Sequence, residues 1–160
     1  SVSYLIQLDV SNNQISDLSP LAKLMYLRIL DVSKNQVIDL SPIANLYLAL
    51  LDVSNNQISD LSPIVKSDWL MTLDISNNQI SDLSPISQLK DLQSLYFSKN
   101  QVSDLSPLSK LSSLWDIDAT KNQITDLSPL KGLTFRNIYI ADNPLENKKC
   151  PLKRKSGCKF

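Results

Sequence analysis

Apolar and polar residues alternate over short stretches that return at a nearly constant spacing along the chain. In the first stretch Leu8 and Val10 are apolar, whereas Gln7, Asp9 and Ser11 are polar. A period of two residues predicts a short β-strand with its apolar side chains inward. The same alternation recurs at Leu30/Val32, Leu51/Val53, Leu73/Ile75, Leu95/Phe97, Ile117/Ala119 and Ile138/Ile140. We therefore predict seven short strands that share one core.

These strands belong to a longer unit, L-x-x-L-x-(V/I)-x-x-N-x-I-x-D-L-S-P-L. The unit starts at Leu5, Leu27, Leu48, Leu70, Leu92 and Leu114 and, in weaker form, at Phe135, in steps of 22, 21, 22, 22, 22 and 21 residues. Tandem units of this length and pattern are leucine-rich repeats, and each buries its apolar face by stacking on its neighbours. The sequence thus predicts an α/β solenoid with one parallel sheet over residues 1–145. It also predicts that the first core layer is open, because no capping segment precedes it, as in an excised fragment or a chain with another domain before it.

Two polar positions of the unit have a predicted structural role. The first is an asparagine whose amide hydrogen-bonds backbone groups of its own turn and of the neighbouring turn. It recurs at Asn13, Asn35, Asn56, Asn78, Asn100, Asn122 and Asn143. The second is the D-L-S-P segment, in which we expect the serine to cap a short helix, the proline to fill its first position, and the aspartate to accept backbone donors. The short spacing leaves room only for single 3₁₀ or α turns on the convex side.

The unit N-Q-I-S-D-L-S-P-L-x-x-L-x-x-L, seen at residues 13–27 and 78–92, resembles the repeats of the bacterial internalin family over residues 5–145. It is also similar to the repeats of a eukaryotic phosphatase-regulatory subunit. The resemblance implies a right-handed superhelix with a parallel concave sheet that recognises proteins, together with secretion or surface display. The chain departs from internalins at both ends, because it has neither their helical N-terminal cap nor their immunoglobulin-like extension.

Outward positions of the predicted strands form columns, and one column carries the main binding hypothesis. It reads Asp9, Asp31, Asp52, Asp74, Tyr96, Asp118 and Tyr139. Stacked aspartates repel, so one interpretation is a partner with a basic patch, and the other is that near-identical repeats simply copied the residue. Tyrosine and tryptophan are frequent energetic centres of interfaces. The predicted partner-binding residues are therefore Asp52, Asp74, Tyr96, Trp115, Asp116, Asp118 and Tyr139.

A second aromatic series immediately precedes the first leucine of four repeats. It consists of Tyr4, Tyr26, Tyr47 and Trp69. We expect these side chains to stack along one flank of the solenoid. Either they pack over the turn, or they form a lateral contact or a self-association surface. The chain as a whole is expected to be monomeric.

The net charge of zero conceals an acidic body and a basic tail. Residues 1–147 hold 10 basic and 16 acidic residues, whereas residues 148–160 hold six basic residues and no acidic ones. We interpret residues 146–160 as a solvated C-terminal cap rather than a nucleic-acid contact, because no nucleic-acid motif accompanies the charge. Cys150 and Cys158 are the two cysteines, and a disulfide between them would place the protein outside the cell or on its surface. Free thiols would favour a cytoplasmic adaptor instead.

The composition argues against catalysis and cofactor binding. The chain has no histidine, and its two cysteines cannot complete a four-ligand zinc site. It has no phosphate-binding glycine loop and no nucleophile motif. No apolar run approaches the roughly 20 residues of a membrane span. We therefore predict a non-catalytic protein-recognition module with no cofactor, metal, nucleic-acid partner or membrane span. The alternative is a structural or engineered consensus-like scaffold without a natural ligand.

Overall fold

The computed structural model describes residues 4–146 and the backbone of residues 158 and 159. Seven short strands follow one another at the predicted places. They are β1 (Gln7–Asp9), β2 (Ile29–Asp31), β3 (Leu50–Asp52), β4 (Thr72–Asp74), β5 (Ser94–Tyr96), β6 (Asp116–Asp118) and β7 (Asn137–Tyr139). All pair in parallel with the next strand along the chain, so sequence order equals spatial order. A further strand, β8 (Cys158–Lys159), pairs in parallel with β7 and was not predicted.

Each strand is joined to the next by a single 3₁₀ turn, as the short D-L-S-P-L segment predicts. The turns are Ser19–Leu21, Ser41–Ile43, Ser62–Lys66, Ser84–Gln88, Ser106–Leu108 and Ser128–Leu130. They pack on one another in order along the convex side. The result is a solenoid with a sheet on one side and short helical turns on the other, as predicted.

The predicted capping role of the serines is wrong in its detail. In every turn the N-cap residue is the leucine, which makes no side-chain cap hydrogen bond, and the serine is already the first helical residue. The aspartate two residues before the serine supplies the acceptor instead. The Asp82 carboxylate, for example, accepts the Ser84 N–H at 2.7 Å. The predicted role of the aspartates is therefore confirmed, and they take over the function assigned to the serines.

The core is continuous from the second repeat to the seventh. Leu30, Leu51, Leu73 and Leu95 are fully buried, each in register with the next. In the next inward column Phe97 lies beside Ala119, and both are buried. The small side chain leaves room for the large one, so that the total side-chain volume of the core is kept. In the first repeat the equivalent side chains of Leu8 and Val10 are only partly buried.

The asparagine ladder is present in six of the seven repeats in its predicted form. The Asn100 side-chain amide donates to the carbonyls of Ile75, Phe97 and Ser98 at 2.9, 3.1 and 3.3 Å, and its oxygen accepts the Ile80 N–H at 2.9 Å. Each such asparagine therefore joins its own turn to the preceding one. Asn13 is the exception, because it is exposed and, among the described residues, its side chain bonds to Val10 and Ser11 of its own turn alone.

Within the described residues, no helix has the length and apolar character that would be needed to cross a bilayer.

Candidate functional site

The concave face begins with a turn that follows every strand. The carboxylates of Asp9, Asp31, Asp52, Asp74 and Asp118 each accept the backbone N–H of the residue two positions later, at 2.8 to 3.0 Å. The next residue then has a positive φ of 53° to 57°. This left-handed conformation is tolerated best by asparagine and aspartate. The aspartate column therefore has a role within the scaffold that the sequence analysis missed.

The residues that adopt the left-handed conformation also form a column. They are Asn12, Lys34, Asn55, Asn77, Lys99, Lys121 and Asp142. Four of the seven are asparagine or aspartate, the non-glycine residue types for which a positive φ has the lowest conformational energy. The signal D-x-S-N could have revealed both this turn and the aspartate that supports it.

Strand register brings most of the predicted binding residues into one row. Asp52 lies beside Asp74, Asp74 beside Tyr96, Tyr96 beside Asp118, and Asp118 beside Tyr139. Carboxylate and phenol therefore alternate over the C-terminal half of the column. In the neighbouring column Asp116 accepts a hydrogen bond of 2.7 Å from the Asn137 side chain. The face combines half-buried acids with accessible aromatic rings.

Asp74 lies inside the row, between Asp52 and Tyr96. Burial raises the pKa of its carboxyl above the ordinary value of 3.8, and the charges of Asp52 and Asp118 act in the same direction. The hydrogen bonds from Ser76 oppose this rise in pKa. At the open end of the same column, the hydrogen bonds from Ser11 lower the pKa of Asp9. Burial is thus the main cause of the raised pKa of Asp74, and the neighbouring carboxylates add to it.

Trp115 lies apart from this row. It precedes β6 by one residue, and its carbonyl accepts the N–H groups of Arg136 and Asn137 at 2.7 and 3.2 Å. The residue at this position of each repeat hydrogen-bonds to the next through the backbone. We call the series Ile6, Arg28, Ala49, Met71, Gln93, Trp115 and Arg136 the inner flank column. Trp115 thus borders the sheet but belongs to its flank.

The predicted aromatic ladder runs along the same flank, on the other side of the first repeat leucine. We call the series Tyr4, Tyr26, Tyr47, Trp69, Asp91, Ser113 and Thr134 the outer flank column. Tyr4 and Tyr26 have ring centroids 5.2 Å apart, and the Arg28 guanidinium carbon lies 6.0 Å from the centre of the Tyr47 ring. These rings nevertheless stay at least half exposed, with Trp69 at 66%. Packing over the turn therefore accounts for only part of the ladder.

A groove of about 640 Å³ lies between the two flank columns. Its lining comprises Arg28, Tyr47, Ala49, Trp69, Met71, Asp91, Gln93 and Ser113. The sequence analysis missed the groove because it depends on small Ala49 lying between larger side chains of adjacent repeats. Within residues 4–146, no three histidine, cysteine, aspartate or glutamate side chains are grouped to hold a metal ion. Cys150 and the Cys158 side chain lie outside the described residues, so their disulfide stays a prediction.

Sequence comparison settles the family. The profile for leucine-rich repeats, two copies per profile, matches residues 5–45, 48–88, 69–110 and 90–132, more than half of the chain. The chain belongs to the leucine-rich repeat family. A comparison of this leucine-rich repeat protein with curated protein sequences found no match.

Solved structures place its repeats with the bacterial internalin type. An internalin (inlF) of Listeria monocytogenes is 26% identical with a TM-score of 0.81, and the match covers 99% of this chain and 62% of that one. Internalin C2 of the same species is 34% identical with a TM-score of 0.72, over 87% of this chain and 71% of that one. The present leucine-rich repeat protein thus spans about three fifths of the first internalin.

A plant protein shares the fold as well. The leucine-rich repeat ectodomain of a membrane receptor kinase from Arabidopsis thaliana, solved in complex with Casparian strip integrity factor 2, is 27% identical with a TM-score of 0.74. The match covers 91% of this chain and 19% of that one. Leucine-rich repeat proteins are in general modules of protein interaction, and internalin-like members are typically non-catalytic.

Proposed function

We propose that this leucine-rich repeat protein binds a partner protein through the concave face of its sheet. The observation that carries the proposal is the alternation of acid and ring along Asp74, Tyr96, Asp118 and Tyr139. Tyrosine offers a large rigid contact surface with a polar end, which makes it common at the energetic centre of interfaces. Asp52 and Asp116 extend the acidic part of the surface on either side.

The chemistry of this face favours a partner with a basic patch. A cation placed over the row would relieve the repulsion among Asp52, Asp74 and Asp118 and would stack against the tyrosine rings. Such complementarity acts mainly on the association rate and on specificity. We therefore expect the association rate to fall as ionic strength rises, because salt screens exposed charges.

We further propose that the protein works outside the cell or at its surface. The internalins and the plant receptor ectodomain support this location by similarity. A disulfide between Cys150 and Cys158 fits an oxidising compartment. The peptide that contains both cysteines should therefore gain about 2 Da after reduction of the natively isolated protein. An unchanged mass would favour the cytoplasmic alternative.

The binding surface can be tested by photo-crosslinking in extract from the source organism. A photoreactive phenylalanine analogue replaces Tyr96 or, in a second variant, Tyr139, and a third variant carries it at exposed Gln88 on the convex side as the matched control. One protein crosslinked from positions 96 and 139 and not from position 88 is the expected result. Its yield should fall when Asp74→Lys is added. Crosslinks only from position 88, or none from the sheet positions, would contradict concave-face binding and favour a scaffold without a ligand there.

A further inference from the structure

The flank that precedes the strands is the most apolar exposed surface of the described residues. Of the ten large apolar side chains that are exposed in the described residues, seven belong to the inner and outer flank columns. The seven are Tyr4, Ile6, Tyr26, Tyr47, Trp69, Met71 and Trp115. Proteins that stay monomeric rarely expose a contiguous apolar surface of this kind. The concave face does not use these side chains, except for Trp115, which borders it.

The groove within this surface has opposite charges at its two ends. Arg28 stands at the level of β2, where its guanidinium donates to the carbonyls of Met25 and Leu27 at 3.0 and 2.9 Å. Asp91 stands three repeats away, at the level of β5, and makes no hydrogen bond or ion pair with another described residue. Neighbouring Lys90 is directed to the Ser87 carbonyl at 2.6 Å. The groove therefore presents a fixed cation at one end and an unpaired carboxylate at the other.

We infer that this flank is a self-association surface that pairs with a second copy of the chain around a two-fold axis. The axis passes between the levels of β3 and β4, and the two solenoids run antiparallel. This operation superposes the level of β2 on that of β5 and each flank column on itself. Because the Arg28 guanidinium bends back to the Met25 carbonyl and the Tyr47 ring, on the side of the outer flank column, it meets Asp91 of the partner subunit, and Asp91 meets Arg28 of the partner subunit. A closed two-fold interface uses the same patch on both copies, which is what this charge order provides.

The apolar residues follow the same reversed order. The level of β3, with Tyr47 and small Ala49, comes to face the level of β4, with Trp69 and Met71. Large side chains of one copy thereby enter the groove over Ala49 of the other. Farther out, Ile6 at the level of β1 comes to face Trp115 at the level of β6. Size and charge both match under one symmetry operation, which favours a second copy over an unrelated partner.

The dimension of the surface sets the expected strength. Five steps of about 4.8 Å between the levels of β1 and β6 give a length of about 24 Å. With two columns of side chains over this length the interface is small, and small interfaces are typically weak. We therefore expect a dimer with a dissociation constant in the micromolar range, in place of the monomer expected from the sequence. Both concave faces stay accessible on the same side of the dimer.

Charge reversal tests the pairing by sedimentation velocity, with protein from about 1 µM to about 1 mM. The parent should sediment as a dimer at the upper concentrations. Arg28→Asp alone and Asp91→Arg alone should each raise the dissociation constant at least tenfold, because each creates two like-charge pairs. The combined variant should return to within about threefold of the parent, because the swapped charges again face each other across the axis.

Several results would overturn the proposal. They are a parent that stays monomeric at all concentrations, single reversals without effect, or a combined variant as weak as the two singles together. Asp91→Arg leaves the Arg28 hydrogen bonds in place, so it remains informative if Arg28→Asp folds poorly by circular dichroism. Lys99→Glu, at the opposite edge of the sheet, is the matched charge control and should dimerise like the parent. The concave variant Tyr96→Ala/Tyr139→Ala should also dimerise like the parent, which separates this proposal from the proposed function.

Discussion

The first and fourth repeats contain the same ten residues and yet differ in burial and in their hydrogen bonds to neighbouring repeats. Residues 11–20 and 76–85 both read S-N-N-Q-I-S-D-L-S-P. In the fourth repeat Ile80 is fully buried, whereas Ile15 of the first repeat is only partly buried. Since the local sequence is identical, the difference must come from the neighbours, because among the described residues the fourth repeat packs between two repeats and the first against one.

Features that are local to the turn are equal in the two repeats. Asp17 accepts the Ser19 N–H at 2.8 Å and Asp82 accepts the Ser84 N–H at 2.7 Å. In both cases the hydrogen bonds from the serine lower the pKa of the aspartate. Features that reach the neighbour are unequal. Asn78 bonds to the third and fourth turns, whereas Asn13 bonds only to its own. In a repeat protein, stability is the sum of such internal and nearest-neighbour contributions.

The largest contrast in stability between the two repeats is expected for the inward leucine of the strand, which is Leu73 in the fourth repeat and Leu8 in the first. Leu73→Ala should lower the free energy of unfolding by about 3 to 4 kcal/mol, because Leu73 is completely buried and the stacked repeats cannot fill the cavity. Leu8→Ala should cost about 1 kcal/mol, because Leu8 is already partly exposed. Urea unfolding followed by circular dichroism measures both. Equal losses would show that the first repeat is as tightly packed as the fourth, against the comparison drawn above.

A smaller contrast is expected for the asparagine ladder. Asn78→Ala removes a donor to the carbonyls of Val53 and Ile75 and leaves the Ile58 N–H without its acceptor. Unpaired polar groups in a buried turn should cost about 2 to 3 kcal/mol, whereas Asn13→Ala should cost about 1 kcal/mol or less. Asn78→Asp is the comparison, because it keeps an acceptor for the Ile58 N–H while it replaces the donating amide by a second oxygen and adds a negative charge. Amide hydrogen exchange at Ile58 should accelerate in Asn78→Ala and not in Asn78→Asp. Unchanged exchange in both would mean that Asn78 does not hold the third turn.

The fold was predictable from sequence because each repeat carries its own periodic signal. The alternation of Leu73 and Ile75 with polar residues gave the strand, and Ser84-Pro85 gave the turn. The type of a residue does not reveal which residues of adjacent repeats pack against it. The exposure of Asn13 therefore could not be predicted from its own repeat, because it depends on the position of that repeat in the stack. The serine capping prediction failed because each turn begins one residue earlier than expected: Leu83, for example, is the N-cap and Ser84 is already the first helical residue, so that Asp82 accepts the Ser84 N–H.

The binding surfaces were predictable only in part, for the same physical reason. Strand period places Tyr96 and Tyr139 on the outer face of the sheet, which the structure supports through the register of β5 to β7. The groove forms only where Ala49, Trp69 and Asp91 of three repeats come together. The charge of Asp91 becomes relevant to binding only in combination with that of Arg28 at the other end of the groove. The scaffold role of the strand-exit aspartates depends on the positive φ at the third residue after each, which the D-x-S-N signal indicates but the alternation of apolar and polar residues does not.

The last contrast, and the smallest, is the pH dependence of two aspartates in the fourth repeat. Hydrogen bonds from Ser84 lower the pKa of Asp82, so its stabilising contribution is present above the unfolded value near 3.8 and is lost as the pH falls through the folded pKa. Burial raises the pKa of Asp74, so its relative contribution is present below 3.8 and is lost as the pH rises through the folded pKa. Asparagine at either position keeps an oxygen acceptor and removes the charge. Asp82→Asn should therefore lower the free energy of unfolding at about pH 7 and leave it unchanged at about pH 2. Asp74→Asn should raise the free energy of unfolding at about pH 7 and also leave it unchanged at about pH 2. Each change should be less than about 1 kcal/mol. Thermal melts of both variants beside the parent measure the difference, and changes of the same sign at neutral pH would show that the burial of Asp74 does not distinguish the concave row from the turns.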